Sequence, residues 1–263
     1  MFFKTLVTVG LMLIWAVPFN AAENMAVMNE RGRWYDVQSD YYRCTFYEGC
    51  MYPVWFYSAD GKVEYPRGFL LDWIKQNNAP DIQIHYLRKD HFAEVKIIEN
   101  TRDKLIVECT GKFCNNAVRF PGVTAIYRYT LKRNSPEIIL DGTIVNLEPE
   151  KTLNCRIYLG VMAFNKQPFS SIEVSEQTPE PFRVAGKAPQ SFKSATSLKL
   201  ITGDGLVLGV NGPAEAWNNS LNRYYTYIGK ASEKSERFWD GKRDMKFQVK
   251  FIFQRRLQTT LKH

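Results

Sequence analysis

The sequence is poor in histidine and lacks the short motifs that mark several common enzyme classes. It holds three histidines in 263 residues, His85, His91 and His263, and none of its cysteines are spaced as C-x₂-C. Zinc sites draw on closely spaced cysteines and histidines, so we expect no metal site. The chain also lacks G-x-S-x-G, a P-loop and H-E-x-x-H. These absences argue against serine-hydrolase, nucleotide-hydrolysing and zincin chemistry, and we expect no cofactor.

Long apolar runs are absent beyond the first residues of the chain. Lys4 precedes an apolar run, Leu6–Val17, and small residues follow at Ala21 and Ala22. This layout is typical of a secretory signal peptide, whereas a membrane-spanning helix needs about 20 apolar residues. We therefore predict a signal peptide over residues 1–22, a secreted or periplasmic location, and no membrane span once the leader is removed.

Helical periodicity is scarce, and alternation of apolar and polar residues is frequent. Alternating segments recur with Gly, Asn, Asp or Pro between them, which predicts an all-β sandwich or barrel. They are Glu94–Cys109 (a hairpin), Thr124–Leu131, Glu137–Asn146, Leu153–Ala163, Ser197–Thr202, Leu206–Val210 and Lys246–Gln254. Residues 23–263 are expected to form one domain. Pro66–Asn77 is interpreted as one or two helical turns, and Pro179–Ala195 as a long surface loop.

Five cysteines allow disulfides if the chain is exported. Cys44 and Cys50 flank one short stretch, and Cys109 and Cys114 flank another, so each pair is a candidate turn staple. Cys155 alternates with apolar neighbours and is interpreted as a buried, inert thiol. Spacing alone leaves the pairing of the five cysteines open.

One stretch resembles a known family. Residues Tyr127, Tyr129, Thr130, Ser135, Pro136 and Ile138 follow the rhythm Y-x-Y-T-x-x-x-x-S-P-x-I. This rhythm is similar to that of neighbouring strands in galactose mutarotase-like proteins and in the β-domains of polysaccharide lyases. The resemblance implies a large antiparallel β-supersandwich with minimal helix and a role with sugars. The mutarotase acid–base pair has its histidine in mid-chain, whereas His85 and His91 lie earlier here, so that site is not carried over.

Trp217, Asn218, Asn219, Arg223 and Tyr225 form the most ligand-like cluster in the sequence. Aromatic rings cover the C–H faces of a sugar, and planar polar groups hydrogen-bond its hydroxyls. The cluster follows a Gly-Pro turn, so its first part is expected to be a loop. The alternative is that these aromatic side chains serve core or rim packing.

A second aromatic cluster lies near the first cysteine pair. It comprises Trp34–Tyr35, Tyr41–Arg43 and Phe46–Tyr47. It would form a rigid binding lip, or an N-terminal strand that packs its rings inward.

His85 is the candidate catalytic residue. It precedes Arg88 and Lys89, which could neutralise a uronic acid carboxylate while His85 or a tyrosine abstracts a proton. Strand alternation would place Gln83, His85 and Leu87 on the face opposite Ile84 and Tyr86. The alternative is a histidine without a role.

The formal net charge of +8 favours anionic partners. The leading hypothesis is a secreted carbohydrate-binding or carbohydrate-processing domain, with acidic polysaccharide favoured. The alternatives are a polysaccharide lyase or sugar epimerase of the same fold, and a non-enzymatic structural or assembly protein of the cell envelope. Nucleic acid would suit the charge, but export argues against it.

Overall fold

A computed structural model describes thirteen segments of the chain. They are residues 24–29, 32–65, 67–70, 73–76, 84–115, 118–158, 160–164, 171–175, 182–185, 191–202, 205–220, 223–228 and 236–255. The predicted signal peptide lies outside the described residues.

Strands account for nearly all regular structure in these segments. In chain order they are β1 (Ala26–Met28), β2 (Trp34–Gln38), β3 (Tyr42–Tyr47), β4 (Val54–Ser58), β5 (Arg67–Leu70), β6 (Trp73–Gln76), β7 (Ile84–Tyr86), β8 (Glu94–Asn100), β9 (Lys104–Gly111), β10 (Cys114–Asn115), β11 (Val118–Arg119), β12 (Val123–Lys132), β13 (Glu137–Asn146), β14 (Cys155–Tyr158), β15 (Gly160–Phe164), β16 (Ser171–Ser175), β17 (Phe182–Ala185), β18 (Ser191–Ile201), β19 (Leu206–Ser220), β20 (Arg223–Ile228), β21 (Glu236–Trp239) and β22 (Met245–Arg255). The one helical element in the described segments is a 3₁₀ turn, Leu87–Lys89, and none of them holds a helix of the length and hydrophobicity needed to cross a bilayer.

The strands form three antiparallel sheets. A four-stranded sheet has the order β1-β2-β3-β4, and a six-stranded sheet has the order β11-β10-β7-β6-β14-β21. A twelve-stranded sheet follows the path β17-β16-β18-β19-β22-β13-β12-β9-β8, with β15, β20 and β5 attached beside it. The predicted all-β class is confirmed, and so is the β8–β9 hairpin.

Strand alternation decides which side chains enter the core. In β9, Leu105, Val107 and Cys109 are buried while the residues between them are half-buried. Buried side chains from all three sheets belong to one hydrophobic cluster. Phe253 of the large sheet contacts three rings, those of Tyr42, Phe56 and Tyr65. The four-stranded sheet is therefore held against the large sheet by aromatic packing.

Three local predictions are wrong. Pro66–Asn77 contains strands β5 and β6 instead of helical turns, because β6 pairs with β7 on one side and β14 on the other, and such pairing overrides weak local propensity. The stretch Pro179–Ala195 is not wholly a loop, since it contains β17, which hydrogen-bonds to β16, and the start of β18. The loop expected after Gly212-Pro213 is a continuation of β19, which accommodates Pro213 at a register shift against β18.

All five cysteines are free thiols in the structure. Neither predicted staple forms. Cys44 lies within β3 and Cys109 near the end of β9, and both side chains point into the core. The Cys114 thiol instead donates to the Lys112 carbonyl oxygen at 3.3 Å. The interpretation of Cys155 is confirmed. This residue is fully buried, its thiol donates to the Trp239 carbonyl at 3.4 Å, and burial raises its pKa to about 12.

Candidate functional site

Strand β4 carries a backbone irregularity that turns a tryptophan outward. Arg43 of β3 pairs with Tyr57, and Thr45 pairs with Val54, so β4 has two residues where β3 has one. This is a β-bulge, and Trp55 within it has a φ of +53°. A left-handed residue in a bulge is typically glycine, and Trp55 is the single non-glycine residue with positive φ among those described. The strained backbone is maintained although the indole is 42% exposed.

Trp55 stands beside a cleft on the outer face of the four-stranded sheet, which we call the Trp55 cleft. Its volume is about 360 Å³, within the range of small-ligand pockets. Besides Val37 and Cys44, whose side chains are buried, it is lined by Asp36, Gln38, Arg43, Thr45, Trp55 and Tyr57. Two aromatic rings thus share one concave surface with carboxylate, amide, guanidinium and hydroxyl groups.

The polar groups of the Trp55 cleft are held by cross-strand pairing. Asp36 lies opposite Thr45, whose Oγ1 donates to the Asp36 carboxylate at 2.9 Å. Gln38 lies opposite Arg43. Gly61 leaves room for the Arg43 guanidinium, since a Cβ at position 61 would lie 3.2 Å from its Nη1. Arg43 forms no ion pair within the described residues, and it lines the cleft.

The second aromatic cluster of the sequence divides between two faces. Tyr42 and Phe46 are fully buried, as the inward-packing interpretation predicts. Trp34, Arg43 and Tyr47 alternate with them and lie on the outer face. The inward-packing interpretation is therefore confirmed for Tyr42 and Phe46, because the sheet is covered on one side only, whereas a binding lip on the outer face stays a prediction.

The sequence did not single out Trp55 or Tyr57 as site residues. The bulge that exposes Trp55 leaves no mark in the sequence, since the residue in it is not glycine. The available signal was the pair of aromatic residues, Trp55 and Tyr57, two positions apart on one strand beside a buried Phe56.

The predicted cluster around Trp217 lies in a β-hairpin. Trp217 of β19 is the register partner of Tyr225 of β20, and Asn218 pairs with Tyr224. Arg223 pairs with Ser220, and Asn219 lies at a register shift. The side chains of these residues lie outside the described part of the structure, so ligand binding there stays a prediction.

His85 is 5% exposed and points into the protein from β7. Its imidazole meets the Phe120 ring edge-on at 5.2 Å, and Nδ1 is buried without a hydrogen-bond partner. Burial lowers the pKa of His85, which favours the neutral imidazole. Arg88 and Lys89 instead lie over the ring of Tyr86, which occupies the other side of β7. The structure therefore does not bring His85 and these cations together on one surface.

In the segments that the structure describes, no three His, Cys, Asp or Glu side chains gather as metal ligands.

Comparison with known proteins supports the fold. No protein-family profile matches the chain, and no curated protein matches it. Among solved structures, the Slr1438 protein from Synechocystis sp. PCC 6803 aligns with a TM-score of 0.59 and 12% identity, over 89% of this chain and 99% of that one. A galactose mutarotase-like protein from Lactobacillus casei ATCC 334 aligns with a TM-score of 0.55 and 10% identity, over 83% and 99% of the two chains.

The same fold also occurs inside a larger enzyme. The GH36 α-galactosidase AgaB from Geobacillus stearothermophilus aligns with a TM-score of 0.57 and 10% identity, over 88% of this chain and 41% of that one. The predicted resemblance to galactose mutarotase-like proteins is confirmed at the level of fold.

Proposed function

We propose that the protein is a secreted carbohydrate-binding protein and that the Trp55 cleft holds a sugar ring. The observation that carries this proposal is the left-handed backbone at Trp55, which keeps a large ring exposed over a polar cleft. Such a conformation costs about 1–3 kcal/mol in a non-glycine residue and is concentrated at functional sites. The fold agrees with this function, since the related structures include a mutarotase-like protein and an α-galactosidase.

An acidic polysaccharide is the favoured ligand. The chain has a formal net charge of +8, which attracts anions over a distance. Within the cleft, Arg43 supplies a planar guanidinium that suits a sugar carboxylate. The carboxylate of Asp36 already accepts from Thr45 and would accept further bonds from sugar hydroxyls.

A glycan-binding screen with two sets of variants tests the proposal. The full chain is presented with acidic and neutral polysaccharides at low ionic strength, and hits are quantified by calorimetry. Trp55→Ala is expected to lower affinity at least about tenfold, since truncating a central aromatic anchor costs about 2 kcal/mol or more. Arg43→Gln is expected to weaken acidic ligands and leave neutral ones unchanged.

Leu147→Ala is the matched control, because Leu147 is a large exposed apolar residue outside the cleft. Absence of binding to every polysaccharide would refute the proposed function. Binding that survives Trp55→Ala but is lost in Trp217→Ala would move the site to the β19–β20 hairpin. The same samples, followed for unsaturated or epimerised products, test the lyase and epimerase alternatives.

A further inference from the structure

We infer that the ligand is an extended glycan chain that occupies two clefts joined by an aromatic strip, an inference that rests on the proposed function. The strip consists of Trp55, Trp34 and Tyr47. The Trp34 ring lies 6.1 Å from that of Trp55 and 5.7 Å from that of Tyr47, measured between ring centroids. The strip leads from the Trp55 cleft to Tyr47, which lines a second cleft.

The second cleft lies where the end of β3 approaches the start of β8, and we call it the Phe92 cleft. Its volume is about 730 Å³. Its polar and aromatic lining consists of Arg33, Tyr47, Glu48, His91, Phe92, Glu94 and Lys96. Aromatic rings and hydrogen-bonding groups are thus combined as in the Trp55 cleft.

The turn that shapes the Phe92 cleft has no space for a side chain at Gly49. Gly49 has a φ of +80°, and its amide donates to the Ala93 carbonyl at 2.8 Å. A Cβ at this position would lie 2.5 Å from the His91 carbonyl oxygen. Only glycine brings the end of β3 this close to β8, so the two strands share one continuous surface.

Phe92 presents an exposed aromatic ring to the Phe92 cleft. It is 79% exposed, and burial of that ring by a ligand would be favourable. Its amide donates to the Asp90 carboxylate at 3.2 Å, and the same carboxylate accepts from the Lys112 amide at 2.7 Å and from Arg119 at 2.8 Å. Arg119 in turn places its guanidinium over the Phe92 ring at 5.2 Å. Because Asp90 is buried, these contacts fix the backbone at Phe92, while Arg119 lies against the exposed ring.

The twisted arrangement of the strip suits a polymer. The Trp34 and Tyr47 rings are inclined by 36°, and the Trp34 and Trp55 rings by 87°. One sugar ring cannot contact all three faces, whereas successive sugars of a twisting chain can meet one ring each. The geometry therefore assigns separate subsites to the two clefts, with the strip between them.

Calorimetry with oligosaccharides of graded length tests this inference. The probes are oligogalacturonides and neutral cello-oligosaccharides, each from monomer to octamer, titrated into the full chain. Affinity is expected to rise about tenfold or more once the chain reaches the Phe92 cleft, as linked subsites raise the effective concentration. Phe92→Ala should remove that gain for long oligomers, while Leu147→Ala should change neither the gain nor dimer binding.

The failures of the inference and of the proposed function are distinguishable. If short and long oligomers bind equally, or if Phe92→Ala weakens the dimer as much as the octamer, the two-cleft inference is overturned and the sugar site at Trp55 stands. If no oligomer or parent polysaccharide binds, the proposed function itself is overturned.

Discussion

Phe56 of β4 stacks on Phe253 of β22, with ring centroids 4.3 Å apart and ring planes inclined by 12°. The next residue along β4 on its N-terminal side is Trp55, which points to the opposite face. The bulge thus has an anchored inner side and an exposed outer side. The position of the proposed sugar-binding ring therefore depends on a stacked pair in the core.

The first prediction concerns this anchor. Phe56→Ala should lower the free energy of unfolding by about 3–5 kcal/mol, the usual effect of deleting a buried aromatic ring. Phe56→Leu refills part of the space and should lose less. Urea denaturation followed by circular dichroism measures both. Equal stability of Phe56→Ala and the wild type would show that β4 is not held by this contact.

The second prediction separates strain from binding at Trp55. Trp55→Gly and Trp55→Ala both remove the indole, so both should lose sugar affinity. The glycine variant should nevertheless be more stable than the alanine variant by about 1 kcal/mol, because glycine adopts a positive φ without steric penalty. Chemical denaturation of the two variants gives the difference directly. An alanine variant as stable as the glycine variant would contradict the left-handed assignment.

The third prediction concerns the centre of the large sheet. A Cβ on Gly142 would lie 2.2 Å from the ring of Phe247, its register partner on β22. Gly142→Ala should therefore destabilise the protein by about 1–3 kcal/mol through overpacking. Phe247→Leu in the same chain should recover part of that loss. Additive effects of the two changes in a double-mutant cycle would rule out a direct clash.

The fourth prediction follows from the burial of His85. Its folded-state pKa is lowered by desolvation, while the unfolded chain has the ordinary value of about 6.5. Below about pH 6.5 the unfolded state binds a proton more readily, so stability should fall as the pH drops from about 7 to 5. His85→Gln removes this contribution, and its stability should decline less over that range. Parallel slopes for the two proteins would show that His85 titrates normally in the fold.

The sequence predicted the large sheet better than it predicted the site. Thr124–Leu131 and Glu137–Asn146 alternate cleanly, and the structure pairs them over eight consecutive positions. His85 shows one limit, since alternation separates the two faces of β7 but does not say which face the protein covers. Trp55 shows another, because its exposure depends on a bulge and a positive φ. Neither the bulge nor the positive φ is visible locally, since β4 pairs with β3 and packs on β22, which is distant in the sequence.

The last prediction tests the cysteines. All five thiols are free, and four of them are buried while Cys50 is partly exposed. Burial raises the pKa of every one of the five thiols, Cys50 included, so the greater exposure of Cys50 and not a more acidic thiol sets the order of reaction. Under native conditions a thiol reagent should therefore modify Cys50 first, and Cys50→Ser should abolish this early reaction. In denaturant without reductant all five thiols should react. If only three thiols or one thiol reacted, one or two disulfides would be present, because each disulfide removes two thiols.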